Sequence, residues 1–272
     1  MNNQQKLPIG IFDSGIGGLT VARAINQLLP KEQLIYFGDT AHMPYGDRSA
    51  EHIRHYSERI ADFLYEKGIK ILVIACNSAS ANAYELLKKK FEGRIDVIGV
   101  ISPVVRYITA HPFAKVGIIG TKATIASRQH QKRIKKASPG MQVVSMATPL
   151  LAPMIEEGFF NDRISKTVIE SYLAAPKFKK VDALVLACTH YPLIKHEIQT
   201  YYKQQVEIID TTEIVARAVY DSLRAQGLLA SKKKEKDLFF VSEYTDSFAN
   251  TTRLFYGERV DIHEVSLWNE KI

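Results

Sequence analysis

The chain repeats one phrase in its two halves, and this repeat constrains the fold more than any other feature. Residues 71–78 read ILVIACNS and residues 183–190 read ALVLACTH, so each phrase is an apolar run ending in a cysteine and two polar residues. Continuous apolar runs of this length are typical of strands buried in a parallel sheet. Because Cys76 and Cys188 lie 112 positions apart (188 − 76), the repeat predicts a duplicated scaffold rather than an isolated coincidence.

A second internal match supports the duplication. Residues 9–14 read IGIFDS and residues 116–121 read VGIIGT, an offset of 107 (116 − 9) that differs from the cysteine offset by only a few residues. We therefore expect two similar halves. The first domain is predicted to comprise residues 1–98 together with 210–272, and the second domain residues 99–209.

Short apolar runs alternate along the chain with longer stretches of helical period, and this pattern predicts an α/β fold. The predicted strands span residues 7–12, 33–37, 69–75, 97–100, 116–120, 143–147, 183–187, 206–209, 238–241 and 261–265. The predicted helices include residues 20–29, 50–67, 80–91, 164–174 and 214–226. Residues 99–103 indicate the crossover between the halves, with Pro103 ending a strand. We expect two open parallel sheets that face each other across a central cleft.

Composition narrows the class of protein. With 272 residues, 46% of them hydrophobic, the chain can bury a sizeable core. The first residues lack a leader pattern and no window approaches about 18 consecutive apolar residues, which predicts a cytoplasmic protein without a membrane partner. The net charge of +7 comes from scattered basic residues, so we expect no nucleic-acid partner. Two cysteines are too few for a disulfide scaffold, and in a reducing compartment both stay free.

Polar residues follow the predicted strands, at the edge where parallel sheets bind ligands. Asp13 and Ser14 follow the first strand, and the other such ends carry Cys76, Asn77, Gly120, Thr121, Cys188, Thr189 and His190. A helix that begins just after a thiol favours the thiolate, which can act as a base or a nucleophile. His190 stands two residues after Cys188, where an imidazole can tune or relay the proton of the thiol. Two cysteines and one histidine do not have zinc spacing, so no metal is expected.

The loop at residues 13–18, DSGIGG, looks at first like a dinucleotide loop. Thr20 stands where that fingerprint needs glycine, and no P-loop ending is present. The glycines still allow backbone amides to close on an anion such as a carboxylate. Asp39, at the next strand end, is a weak candidate for ribose binding. Residues 44–46, PYG, predict a turn that is either simple punctuation or a wall of the site.

Taken together, these phrases resemble the glutamate racemase family of the aspartate/glutamate racemase superfamily. The phrases are DSGIGG at 13–18, PYG at 44–46, ACNSA at 75–79, GTKAT at 120–124, PMIE at 153–156 and CTHYPL at 188–193. The resemblance implies a cofactor-independent interconversion of L-glutamate and D-glutamate that supplies the D-isomer for peptidoglycan. Dimers are common in the family, so a homodimer is an open alternative to a monomer.

Carried over by position, the resemblance implies that Cys76 takes the proton from D-glutamate and Cys188 from L-glutamate. Inversion by proton transfer requires a base on one face of the carbon and an acid on the other. Asp13 would assist Cys76, while His190 and Glu156 would assist Cys188. Glu156 is chosen over the neighbouring Glu157 only because it is the glutamate that aligns with the family motif at 153–156. The implied substrate-binding residues are Asp13, Ser14, Tyr45, Gly46, Asn77, Ser78, Thr121, Thr124, Thr189 and His190.

One position departs from the family, which usually has threonine where this chain has Ser78. The hydroxyl is retained, so we expect substrate binding to survive. Three alternative functions stay open at this point. A racemase for aspartate or a hydantoin would differ in pocket size. A non-catalytic binder of anionic metabolites would keep the loops without needing paired cysteines, and a redox dithiol protein would need its sulfurs within bonding distance.

Overall fold

The structure is a computed structural model that describes residues 3–232 and 235–268, with the backbone alone for 246–250. Its strands are β1 (Ile9–Asp13), β2 (Leu34–Gly38), β3 (Ile71–Ile74), β4 (Asp96–Gly99), β5 (Lys115–Gly120), β6 (Gln142–Ala147), β7 (Ala183–Ala187), β8 (Glu207–Ile209), β9 (Leu238–Val241) and β10 (Ile262–Glu264). Its α-helices are α1 (Leu19–Leu28), α2 (Ala50–Glu66), α3 (Asn77–Lys90), α4 (Ile101–Thr109), α5 (Lys122–Ser127), α6 (Gln129–Ala137), α7 (Leu151–Glu156), α8 (Arg163–Leu173), α9 (Lys195–Tyr201), α10 (Thr211–Ala225) and α11 (Asp246–Tyr256). Short 3-10 helices span Asn3–Lys6, Tyr45–Asp47, Pro176–Phe178 and Tyr191–Ile194.

The strands form two parallel sheets. One has six strands in the order β10-β9-β2-β1-β3-β4, and the other has four in the order β6-β5-β7-β8. Each described strand pair is parallel. The predicted α/β class with two parallel sheets is confirmed, and the ten predicted strands coincide with the observed ones to within about two residues at each end.

The duplication is visible in the strand order. The second sheet repeats the order β2-β1-β3-β4 of the first, with β6, β5, β7 and β8 in the corresponding places. The two internal sequence matches fall on corresponding strands, since one joins β1 to β5 and the other joins β3 to β7. Strands β9 and β10 extend the first sheet beyond β2, so part of the chain after residue 210 returns to the first half. The exact domain limits stay a prediction.

Burial explains why the strand phrases are continuously apolar. Every residue of β1, β3 and β7 is buried. One hydrophobic cluster runs through both sheets and includes Ile11, Val73 and Val185, while a second cluster packs the other face of the first sheet around Phe12 and Ile74. Helix α10 packs against α1 and also contacts α4. The two halves therefore share part of one core.

Side-chain caps decide where several helices begin. The side chain of Asp210 accepts the Thr212 amide at the start of α10. Helix α3 begins at Asn77, three residues before the predicted start, because the Cys76 sulfur itself caps it. The expectation that Pro103 ends a strand is wrong, since Pro103 lies in the first turn of α4, where a missing amide donor is tolerated. Within the described residues, no helix has the length and apolarity needed to cross a membrane.

Candidate active site

A small cavity lies where the carboxyl ends of strands from both sheets meet. Phe12 of β1 pairs with Ile74 of β3, and Gly120 of β5 pairs with Ala187 of β7, so the residues that follow these strands are neighbours. The cavity is lined by Ser14, Gly15, Met43, Pro44, Gly46, Cys76, Asn77, Ser78, Thr121, Ala152, Glu156, Cys188, Thr189 and His190. Its volume of about 30 Å³ is close to the volume one water molecule occupies in the liquid.

Cys76 lies between the end of β3 and the start of α3. Its sulfur accepts the backbone N–H of Ala79 at 3.4 Å, and its thiol lies 3.6 Å from Ser14 Oγ. Burial and the charge of Asp13 raise the pKa of Cys76 to about 12, although the Ala79 amide and the Ser14 hydroxyl oppose the rise. The Ala79 amide at the start of α3 favours the thiolate, as the sequence predicts, but loss of solvation outweighs its effect on the pKa of Cys76. Cys76 is a protonated thiol here.

Cys188 belongs to a chain of contacts that ends at a carboxylate. Its sulfur lies 3.7 Å from His190 Nδ1, and Nε2 of the same ring lies 2.7 Å from Glu156 Oε1. The second contact is an ion pair by distance, while its angle falls outside that of a linear hydrogen bond. Burial alone would lower the pKa of His190, but Cys188 and Glu156 outweigh it and raise this pKa to about 10. The imidazole is thus charged near neutral pH.

The two adjacent glutamates have different surroundings because α7 ends between them. Glu156 is the last residue of α7, lines the cavity and contacts His190. Glu157 is exposed and caps the helix end. The structure therefore brings together Cys188, His190 and Glu156, and it leaves Glu157 outside this group.

Asp13 lies beneath the cavity rather than on its surface. Its side chain is fully buried, with one carboxylate oxygen accepting the Gly15 amide at 3.1 Å and the other 3.5 Å from Thr189 Oγ1. Burial raises the pKa of Asp13, against the opposing effects of the His190 charge and nearby backbone amides. Asp13 acts electrostatically on Cys76 as well. It therefore lies between the surroundings of the two thiols.

The glycine-rich loop packs against the turn that carries the histidine. A Cβ added to Gly17 would lie 2.6 Å from His190 Nδ1 and closer still to Thr189 Oγ1, a distance no side chain can adopt. The Thr20 hydroxyl donates to the carbonyl oxygens of Gly17 at 2.8 Å and Thr189 at 3.1 Å. Thr20 thus links the loop of the first half to the Thr189–His190 turn of the second half by hydrogen bonds. Only Ser14 and Gly15 of this loop reach the cavity, so its main contact is a protein turn.

Asn77 is the polar side chain that most strongly suggests a ligand. It lines the cavity, is only 2% exposed, and neither Nδ2 nor Oδ1 has a hydrogen-bond partner among the residues that the structure describes. Leaving a buried amide unpaired costs about 1–3 kcal/mol, so such groups are expected to pair with something. A polar molecule in the cavity would satisfy this amide.

Hydroxyl groups from both halves meet at one side of the cavity. Ser78 Oγ lies 2.8 Å from Thr121 Oγ1 and 3.2 Å from Thr124 Oγ1. Thr121 also caps α5, because its Oγ1 accepts the Thr124 amide. Ser78 and Thr121 reach the cavity surface, whereas Thr124 is buried behind them. Thr124 therefore holds the other two hydroxyls in place instead of facing the cavity.

The turn at residues 44–46 forms part of the cavity wall, as one of the two interpretations of its sequence predicted. Pro44 and Gly46 line the cavity. The Tyr45 side chain is fully buried, and its hydroxyl donates to Asp39 Oδ2 at 2.6 Å. Only the backbone of Tyr45 can therefore face a ligand. Asp39, the weak candidate for ribose binding, has a buried carboxylate that is already hydrogen-bonded within the protein.

Two cavity residues escaped the sequence interpretation, Met43 and Ala152. Neither side chain carries polar chemistry, so nothing in its residue type marks it. Both cysteines are buried free thiols, and they line the same cavity without being bonded to each other. Among the described residues, no three histidine, cysteine, aspartate or glutamate side chains are grouped so that they could hold a metal ion.

Comparisons with known proteins agree on one kind of relative. A sequence model described as Asp/Glu/hydantoin racemase matches residues 9–219. Glutamate racemase from Geobacter metallireducens is 42% identical over 266 residues, which cover 97% of this chain and 98% of that protein. A crystal structure of glutamate racemase from Francisella tularensis in complex with D-glutamate has a TM-score of 0.92 and 35% identity, with 97% of this chain and 99% of that chain covered. Glutamate racemase from Thermus thermophilus, in complex with β-chloro-D-alanine, has a TM-score of 0.87 and 38% identity, covering 97% and 98% of the two chains.

Proposed function

The chain belongs to the Asp/Glu/hydantoin racemase family, and from this premise we propose that it interconverts L-glutamate and D-glutamate by passing the α-proton between two thiols. One observation carries the proposal. Cys76 and Cys188 follow corresponding strands of two like sheets, and both line one cavity as free thiols. Inversion needs a proton acceptor on one face of the carbon and a donor on the other. A thiol from each half supplies that pair without a cofactor.

Glutamate is favoured as the substrate by the relatives and by the polar groups of the cavity. Glutamate racemases match nearly the whole chain. The cavity offers the unpartnered Asn77 amide, the hydroxyls of Ser14, Ser78, Thr121 and Thr189, and the backbone near Gly46. Such donors and acceptors suit two carboxylates and an ammonium group. Preorganised donors also stabilise the carbanion-like transition state, since a proton next to a carboxylate is a very weak acid.

The charges around the thiols suggest how the reaction begins with L-glutamate. Cys188, whose sulfur lies next to the positive His190 ring, would remove the α-proton of L-glutamate. Cys76, whose pKa is raised, would donate its proton from the opposite face and yield D-glutamate. The two sulfurs then hold exchanged protonation states, and the reverse reaction starts from Cys76. Glu156 would keep His190 charged, and Asp13 would assist Cys76.

Access to the cavity requires motion in this scheme. A cavity of about 30 Å³ is far smaller than the roughly 300–1,000 Å³ of typical small-molecule sites. We therefore propose that residues 1–98 with 210–272 and residues 99–209 behave as two domains that separate to admit substrate and close over it. A cytoplasmic location, a homodimeric assembly and the supply of D-glutamate to peptidoglycan are further parts of the proposal, and light scattering of the purified protein tests the assembly.

The decisive experiment is incubation with L-glutamate in heavy water without added pyridoxal phosphate, followed by chiral chromatography and NMR of the α-position. The expected result is conversion to a racemic mixture, with deuterium appearing in the product enantiomer. L-Aspartate and a hydantoin tested in parallel separate this function from those of other racemases. A well-folded protein that neither inverts glutamate nor exchanges its α-proton would contradict the proposal.

A further inference from the structure

A second buried carboxylate, outside the cavity, gathers donors from three separate segments of the chain. The side chain of Asp39, just after β2, is fully buried. Tyr45 Oη donates to it at 2.6 Å, Ser242 Oγ at 2.8 Å and Trp268 Nε1 at 3.1 Å, and His42 Nδ1 lies 3.0 Å away. We name these five residues the Asp39 hub. They join the loop after β2, the end of β9 and the segment after β10.

The hub is a constrained arrangement because each donor satisfies a charge that cannot reach solvent. A buried carboxylate is tolerated only when it is paired and hydrogen-bonded. Burial and the neighbouring Asp39 both raise the pKa of Tyr45 well above its usual value, so its hydroxyl stays protonated and remains a donor. Moving Tyr45 or Trp268 away would leave part of the carboxylate unsatisfied. The hub therefore restricts where each of these side chains can lie.

Aromatic packing holds the same residues from the other side. The His42 ring stacks on Tyr56 with centroids 3.9 Å apart and meets the edge of Trp268 at 4.6 Å. Tyr56 also contacts Trp268 edge to face, with centroids 5.3 Å apart. Trp268 is thus held by its ring contacts as well as by its N–H group. The segment after β10 is thereby attached to the loop that follows β2.

Tyr45 connects this hub to the cavity. The residues on both sides of it, Pro44 and Gly46, line the cavity wall. A Cβ added to Gly46 would lie 2.8 Å from Thr121 Cβ, so the Gly46 backbone rests directly on Thr121 across the cleft. Thr121 is in turn hydrogen-bonded to Ser78. A shift of Tyr45 would therefore move two wall residues and disturb the hydroxyl pair beside them.

We propose that Asp39 is a positioning residue for the racemisation. Through its hydrogen bond with Tyr45 it keeps Pro44 and Gly46 in position against the substrate. Through its hydrogen bond with Trp268, the position of these wall residues also depends on the segment after β10. This inference rests on the proposed function. Among the described residues, no hydrogen bond joins the hub to either thiol, so its loss should weaken substrate binding more than proton transfer. Removing an interaction that is equally strong in the bound substrate and in the transition state raises KM and leaves kcat nearly unchanged.

The test compares Tyr45→Phe with Tyr202→Phe. Both changes remove one buried hydroxyl, but the Tyr202 hydroxyl has no hydrogen-bond partner within the described residues, so this variant is the matched control. Tyr45→Phe is expected to raise KM for both enantiomers about tenfold, as expected for loss of a hydrogen bond to a charged group, with kcat within about twofold. Tyr202→Phe is expected to keep the wild-type KM. Circular dichroism and thermal melting establish that both variants are folded.

Trp268 provides a spectroscopic readout because it is the one tryptophan of the chain. The fluorescence emission of Trp268 reports on the hub directly. We expect D-glutamate to change this emission when the cavity wall contacts the ligand. In Tyr45→Phe the midpoint of this titration should rise about tenfold, in step with KM. Trp268→Phe keeps a ring but loses the N–H donor, and we expect about a threefold rise in KM because three other donors remain.

The possible outcomes distinguish a failure of the proposed role of the hub from a failure of the proposed racemase function. A wild-type protein that racemises glutamate, together with wild-type KM values in both Tyr45→Phe and Trp268→Phe, overturns the hub alone. A drop in kcat at constant KM also overturns it, because that pattern belongs to the proton-transfer step. A folded wild-type protein without activity overturns the proposed function and this inference together. Asp39→Asn adds a stronger disruption, and if it fails to fold the two milder variants still decide.

Discussion

Cys76 and Cys188 occupy corresponding places in two like sheets, yet their surroundings have little in common. Cys76 caps α3, a helix of 14 residues, and its nearest polar partners are the Ala79 amide and the Ser14 hydroxyl. Cys188 is followed by a turn and a short 3-10 helix, and its partner is His190. The hydrogen-bond partners of Cys76 are therefore neutral groups, whereas Cys188 lies beside a charged ring.

The difference shows how a duplicated scaffold can produce two unlike sulfurs. Around Cys76, burial outweighs the neutral donors and raises the pKa of the thiol to about 12. Around Cys188, the ion pair of His190 with Glu156 keeps a positive charge next to the sulfur. Two-base inversion requires one protonated and one ionised group at the start. The two thiols have the unlike surroundings that these two roles require.

The largest effect is expected from removing either sulfur. Cys76→Ala and Cys188→Ala each delete the acid or base on one face, so racemisation should fall about a thousandfold or more. The comparison predicts that Cys188→Ala still exchanges the α-proton of D-glutamate and that Cys76→Ala still exchanges that of L-glutamate. NMR in heavy water measures both. Full racemisation by either variant would refute the two-thiol mechanism, and exchange of the opposite enantiomers would reverse the two assignments.

The next effect concerns the charge beside Cys188. Because the pKa of His190 is raised to about 10, the imidazolium persists below that pH and is lost above it. Glu156→Gln removes one source of the rise, so the alkaline limb of the pH–rate profile with L-glutamate should move to lower pH by about one unit or more, and kcat should fall about tenfold or more. Initial rates across pH provide the measurement.

Glu157→Gln is the matched control for this experiment, since it removes the adjacent but exposed carboxylate. It should leave the pH profile unchanged. The raised pKa also has a consequence for stability: the contribution of His190 is fully present below its ordinary pKa of 6.5 and is lost as pH rises through about 10. An alkaline limb that stays in place in Glu156→Gln would show that Glu156 does not hold the charge.

A smaller effect is expected where the glycine loop packs on the histidine turn. Gly17→Ala inserts a methyl group against Thr189 and His190, so either the glycine loop or the Thr189–His190 turn must shift. Displacements of about 1 Å in a site can cost about a hundredfold in rate, and a partial shift should cost about tenfold or more. Gly140→Ala is the control, because nothing lies within 4 Å of the added Cβ. Equal rates in the two variants would argue against a positioning contact at Gly17.

The smallest effect is expected at the hydroxyl cluster, which both halves share. Ser78→Ala removes the partner of Thr121 and Thr124 and should weaken binding of both enantiomers by about fivefold, equivalent to about 1 kcal/mol. Ser78→Thr keeps the hydroxyl and adds a methyl group, and it should match the present chain. Steady-state KM values check both changes. If Ser78→Ala lowered kcat for only one enantiomer, the hydroxyl cluster would assist one of the two thiols instead of binding both enantiomers.

Much of the fold could be predicted because its determinants are local. Buried parallel strands are continuously apolar, so runs such as residues 71–74 and 183–187 could be recognised directly. The ends of helices were less accessible. Helix α3 begins at Asn77 because of an unusual sulfur cap, and Pro103 lies within a first turn rather than at a strand end. Both depend on backbone geometry that neighbouring residue types only weakly determine.

The candidate site was predictable to the extent that its residues follow strands. The polar strand ends led to Cys76, Asn77 and Cys188, which all line the cavity. Tyr45 and Thr124 proved to be buried behind the wall, because a motif names a position without the direction of its side chain. Met43 and Ala152 were missed because apolar cavity residues have no chemical signature.

By itself, the sequence determined the α/β class, the duplication and the pair of thiols at corresponding strand ends, because periodicity and strand-end chemistry are properties of short segments. Only the tertiary structure decided that the thiols are unequal. Three sets of contacts join segments that are distant in the chain. Glu156 pairs with His190, and the charge of Asp13 acts on Cys76. Tyr45 and Trp268 both donate hydrogen bonds to Asp39. Protonation depends on burial and on the charges within a few ångströms, and both exist only once the chain has folded.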